Sequence, residues 1–168
     1  MKKTSRIARL SLVFALSLIL NLLESFITVF AAFPGVKPGL SNLPVMFCLI
    51  CENFSVSVTL TVAKALFVFL TRGFSASVLS LAGGILSAAS MALLLKLSKR
   101  KISLTAVSIT GGVIHNAAQL AVCALLWGTV NVFLLSPILI MSGVVFGLVN
   151  AVLLKNTLPY LKRIGGKS

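Results

Sequence analysis

The chain contains no aspartate at all, and Glu24 and Glu52 are its only carboxylates. They are far apart in sequence, so no acid pair for general acid and base work is apparent. The single histidine, His115, has no aspartate to orient it, which leaves no Ser-His-Asp arrangement. No G-x-x-x-x-G-K-[ST] phosphate loop occurs. Cysteine is nearly as scarce: Cys48, Cys51 and Cys123 all sit in apolar runs. Cys48 and Cys51 make a C-x-x-C, a spacing that can signal redox or metal chemistry. A second ligand pair is missing, however, and cysteine also serves as a small apolar residue in buried helices. One histidine and three scattered cysteines make a poor zinc set. These absences predict a non-enzyme with no metal or cofactor of its own. Trp127 and Tyr160 are the only tryptophan and tyrosine. Nucleic-acid binding calls for a basic face with interleaved aromatics, so it is not expected.

Apolar residues fill the space left by the missing polar ones. They make up 58% of the 168 residues, charged residues only 10%, and the mean hydropathy is +1.12. A soluble globular class is excluded, and the length suits one integral membrane domain over 1–168, with a basic head at 1–9 and a tail at 155–168. The net charge of +13 is gathered in blocks. Lys2, Lys3, Arg6 and Arg9 lead the chain; Lys96, Lys99, Arg100 and Lys101 lie in its middle; Lys155, Lys162, Arg163 and Lys167 close it. Basic blocks beside apolar segments mark cytoplasmic loops. Six spans put all three blocks on one side, whereas five spans split them. The expectation is therefore an all-α polytopic membrane protein, a six-transmembrane-helix bundle in the plasma membrane of a prokaryote, with both termini cytoplasmic.

Along the chain, Leu10–Ala32 is long enough to span. A signal peptide ending near Ala31 is the rival reading, but the apolar stretch is too long and carries Asn21 and Glu24. FPGVKPGLSNLP, Phe33 to Pro44, holds three of the five prolines and two glycines, so it reads as a loop placed to serve as a lid. A short or tilted second helix follows over Val45–Cys51, extended back toward Gly39. Further helices are expected over Phe54–Leu70, Ser77–Leu97, Leu104–Trp127 and Val132–Leu154, with Pro137 inside the first turns of the last. Ser80, Gly84, Ala88 and Ala92 recur every fourth position, as do Gly143 and Gly147, and mark close helix seams.

Two polar features stand out within the apolar runs. His115 and Gln119 are four apart and share a helix face with Gly111, while Asn116 lies about 100° round. Such groups face a cavity or glue helices together, and the pattern alone supports both readings. Lys64 falls near mid-membrane, where it either faces a cavity and meets Glu24 or an anionic ligand, or snorkels to an interface. Measured along the helix from Ile7, Glu24 falls near the outer surface, about 26 Å up.

FPGVKPGLSN (33–42), SLAGGILS (80–87), GGVIHNAAQL (111–120) and NLLES (21–25) together resemble the signatures of the Gx transporter family, also labelled heptaprenyl diphosphate synthase component I. Pro38, Ser41 and Pro44 depart from the usual pattern of its loop. That family resembles the substrate-binding S components of energy-coupling-factor (ECF) importers, compact six-helix proteins that capture vitamin-like molecules outside. They work with a transmembrane T subunit and two ATPase subunits. The resemblance implies that Lys37 and Asn42 belong to a lid or mouth, and that His115, Asn116 and Gln119 line a cavity. Helices 1, 3, 5 and 6 would wall it near the outer leaflet, with Lys64 and Glu24 as further ligand contacts. Ala8, Ser11 and Ala15 would meet the T subunit. The prenyl-synthase label implies an aspartate-rich magnesium motif, which this chain cannot supply, so an accessory role is the most that label allows. Some members resemble components of flavin- and quinone-linked electron-transfer systems, which gives a redox membrane subunit as another class of reading. A purely structural membrane scaffold is a third.

Overall fold

The computed structural model describes residues 2–27, 39–99 and 101–164. Six α-helices and no strand occur among them: α1 Lys2–Ile27, α2 Asn42–Cys51, α3 Phe54–Arg72, α4 Phe74–Leu97, α5 Leu104–Trp127 and α6 Ser136–Ile164, with a 3-10 turn at Val130–Leu135 before α6. The molecule is an all-α membrane bundle. Five of the helices are long and apolar enough to cross a bilayer. The sixth, α2, is only about 15 Å long at 1.5 Å per residue, half of the hydrocarbon thickness. The second span expected from sequence is thus a half-length helix.

Local chemistry sets the helix limits. Asn53 caps α3 by accepting the Val56 N–H at 2.9 Å, and Ser103 caps α5 by accepting the Ala106 N–H at 3.2 Å. Gly73 and Gly128 end α3 and α5 at φ +85° and +62°, where a side chain is disfavoured. The expected basic head is helical from Lys2, and the expected tail is helical to Ile164. Pro137 does not kink α6, because the helix starts one residue before it and a first-turn proline has no donor to lose. Pro44 likewise falls in the first turn of α2, so the proline-rich loop ends at Ser41 rather than continuing to residue 44.

α1 and α2 run antiparallel. Glu52, at the end of α2, pairs with Arg6 and Arg9 near the start of α1, while Ser41 at the start of α2 bonds Glu24 near the end of α1. Ser57 of α3 donates to the Val45 carbonyl at 3.0 Å, and Ser77 of α4 to the Ala65 carbonyl at 2.9 Å. Of the small residues read as seams, Gly84, Gly143 and Gly147 sit in close helix contacts. A Cβ on Gly112 would meet the Gly143 carbonyl oxygen at 2.5 Å, and one on Gly147 the Cα of Ile109 at 2.7 Å, so α5 and α6 touch backbone to backbone. Gly84 packs directly on Thr61 in the α3–α4 seam. Lipid is as apolar as a leucine core, so this close approach, and not water exclusion, holds the helices together.

α2 touches all five other helices and is buried from Asn42 to Leu49. Two apolar clusters fill the ends of the interior. One joins Val13, Val45, Phe47, Met91 and Leu154 at the end that carries Arg9; the other joins Leu79, Leu120, Cys123 and Val132 at the opposite end. Cys48 belongs to the first cluster. Between the two lies a layer of buried polar side chains.

Candidate functional site

The inward face of α1 is Val13, Ser17, Asn21 and Glu24, spaced by four, four and three residues, and it turns from apolar to acidic as it rises. The inward face of α3 follows the same helical rule, with Ser57, Leu60, Thr61, Lys64 and Ala65. Glu24 and Lys64 are both fully buried and both reach Ser41, which caps α2. Glu24 accepts the Ser41 N–H at 3.1 Å and the Ser41 hydroxyl at 2.8 Å. Lys64 Nζ donates to the same hydroxyl oxygen at 3.3 Å. A carboxylate at a helix N-terminus is favoured by the macrodipole, and here that N-terminus lies inside the bundle. Lys64 is ten residues from Phe54 and eight from Arg72, close to the middle of α3.

Arg9, through Glu52, marks the basic end of the bundle. From Arg9 to Glu24 is about 22 Å of helix, and Lys64 meets that carboxylate through Ser41. Glu24 and Lys64 interact electrostatically, and Glu24 also acts on Arg72, whose guanidinium donates to Ser25 Oγ at 3.3 Å.

The turn before α2 collects the remaining polar groups. Asn150 of α6 donates to the Gly39 carbonyl at 3.0 Å, across 111 residues of sequence. Gly39 has φ +97°, and a Cβ there would sit 3.7 Å from the His115 ring. His115 Nε2 and Gln119 Nε2 are 2.9 Å apart. Gly83 of α4 makes room for them, since a Cβ at that position would come within 2.8 Å of the His115 ring. Asn42, the first residue of α2, is 4% exposed, and among the described residues neither its Oδ1 nor its Nδ2 has a hydrogen-bond partner. Burial of an amide in that state costs about 1–3 kcal/mol.

His115, Gln119, Lys64 and Glu24 therefore converge on one turn, Gly39–Asn42, in the layer between the apolar clusters. Asn116 does not join them. It faces α6, donating to the Leu139 carbonyl at 2.7 Å and to Ser142 Oγ at 3.0 Å. Asn42 is an interior residue and not a mouth residue. Lys37 lies outside the described residues. The layer lies between the two apolar clusters and draws on all six helices, whereas the sequence reading walled it with α1, α3, α5 and α6 alone. It is also closed: each of its side chains is at most 4% exposed. Ala8, Ser11 and Ala15 are exposed on the outer face of α1. Ser41 and Asn150 were not singled out from sequence. The signal was available for Asn150, a lone amide in a long apolar run, because such a residue faces the bundle interior.

Residues 13–157 match the model of a family described as heptaprenyl diphosphate synthase component I. No curated protein and no solved structure matches the chain.

Proposed function

We propose that this chain, which belongs to the heptaprenyl diphosphate synthase component I (Gx transporter) family, is a non-catalytic membrane subunit that binds a small, partly polar, anionic molecule in its mid-membrane polar layer. The observation that carries this reading is unused hydrogen-bonding capacity at one buried place. The Lys64 ammonium has three protons, and among the described residues its hydrogen bond goes to Ser41 Oγ. Asn42, next along the chain from Ser41, uses neither end of its amide among the described residues. A cation and an amide with capacity to spare are what an anionic ligand with a further polar group requires. A half-length helix that starts at mid-membrane supports the same reading, because broken helices in transporters present such ends to substrates.

The role follows as capture for an importer of the energy-coupling-factor type, in the plasma membrane, with the basic end in the cytoplasm. A transmembrane T subunit would meet the exposed α1 row of Ala8, Ser11 and Ala15, and two ATPase subunits would supply the energy. Capture requires the closed layer to open, and the Gly39 turn is the nonhelical joint beside it. The family description favours a second reading, an accessory subunit of polyprenyl diphosphate synthesis, in which catalysis resides wholly in another chain.

Mass spectrometry of small molecules released from the purified protein tests the proposal. An anionic species present in the wild type and lost from Lys64→Met is expected. Extracts of the two proteins that do not differ would count against it, and a copurifying flavin or quinone chromophore would point to redox work instead.

A further inference from the structure

A second site lies away from the polar layer. At the basic end, α2, α3 and α4 leave a cleft of about 530 Å³, within the range of small-molecule pockets. Leu49 and Leu95 give it an apolar wall, and Asn53, Lys96 and Lys99 give it polar ones. We propose that this cleft binds the phosphate headgroup of an anionic bilayer lipid.

Charge is the first argument. The one carboxylate of the cleft, Glu52, is already paired: Arg6 Nε donates to it at 2.8 Å, and Arg9 holds its other oxygen. Arg6 and Arg9, neither of which lines the cleft, thus neutralise Glu52, and Lys96 and Lys99 on the cleft wall remain for a ligand. The second argument is backbone geometry. Lys99 has φ +48°, the one described non-glycine residue with positive φ. A lysine in the left-handed region is uncommon, and here it ends α4 so that Lys99 joins Lys96 on the cleft wall. Its N–H bonds the Lys96 carbonyl at 3.2 Å, and the Lys101 N–H bonds that of Ser98 at 2.9 Å. Asn53 spends its Oδ1 on the cap of α3, which leaves its NH₂ as a further donor.

Position is the third argument. The cleft lies at the end of the spanning helices, where Leu93 and Leu97 of α4 are 57% and 73% exposed. An acyl chain can run along them while the headgroup sits at the lysines, as in basic pockets at helix ends that hold acidic lipids. A soluble phosphate would use the lysines but leave this apolar flank idle.

The test uses the full chain in neutral detergent, titrated with phosphatidylglycerol or phosphatidylcholine and followed by native mass spectrometry. Phosphatidylglycerol is expected to bind in preference. Lys96→Gln with Lys99→Gln should weaken it about 30-fold, at roughly 1 kcal/mol per lysine. Lys155→Gln, at the same end but outside the cleft, should leave it unchanged. Both cleft lysines are exposed, so the double variant should melt with the wild type. Equal binding of the two lipids, an equal loss in Lys155→Gln, or displacement of the lipid by an equal concentration of inorganic diphosphate would each overturn the proposal.

Discussion

Lys64, Ser41 and Glu24 form a chain of charge and hydroxyl at the level where a bilayer offers no solvent to either ion. Removing one member strands the other. Lys64→Met should destabilise the protein by about 3–5 kcal/mol, since it removes the buried cation that shares Ser41 with the buried Glu24 carboxylate. Adding Glu24→Gln should restore much of that loss, with a coupling of about 1–3 kcal/mol in a double-mutant cycle measured by unfolding in detergent. Additive losses would show that the two charges do not answer each other. Sequence exposed Lys64 and Glu24 and offered their meeting as one of several readings, but it did not place Ser41 between them. An ammonium in an apolar run announces itself, and so does a glutamate. Whether they share a depth depends on where each helix enters the membrane, and the Arg9–Glu52 pair fixes that through a contact spanning 43 residues. The same limit separated His115 from Asn116. Adjacent in sequence, they turn to different neighbours, Gln119 beside Gly83 and the α6 backbone.

Elements were the most legible part of the chain, wherever a helix carried its own stop signals. α5 runs from Leu104 to Trp127 as expected because Ser103 caps it and Gly128 ends it. α2 was harder. Prolines in a short segment argue against helix, yet Pro44 falls where a helix needs no donor, and only the five surrounding helices make ten residues worth ordering. The glycine seams yield two predictions that differ in kind. Gly112→Ala sets a methyl against the Gly143 carbonyl, a backbone atom that cannot rotate away. It should separate α5 from α6 and cost about 1–3 kcal/mol or more in unfolding experiments. Gly83→Ala meets only the His115 ring and Gln119. It should displace that pair and weaken ligand retention, with a smaller loss of stability than Gly112→Ala. If Gly83→Ala kept full ligand retention, His115 and Gln119 would be packing residues and nothing more.

Across the whole molecule, polarity runs in bands. A basic end, an apolar cluster, a closed polar layer and a second apolar cluster follow one another along the bundle axis. The charge blocks predicted only the basic end, because α1, α4 and α6 all bring lysine or arginine to it. With Cys48, Cys51 and Cys123 replaced by alanine, single cysteines at the exposed positions Thr4 and Tyr160 should resist a membrane-impermeant maleimide in whole cells, and one at Val130 should react. The reverse pattern would invert the bundle. The bands also explain why the binding claim turns on Asn42, an amide held between apolar clusters with no partner among the described residues. The most direct measurement is the thermal stability of ligand-free Asn42→Leu, read together with the small molecules it retains. A residue kept for a ligand burdens the empty protein, so the variant should melt at or above the wild-type temperature, gaining up to about 1–3 kcal/mol, and should lose the bound molecule. A variant that melts lower and releases the same molecules as the wild type would contradict the account.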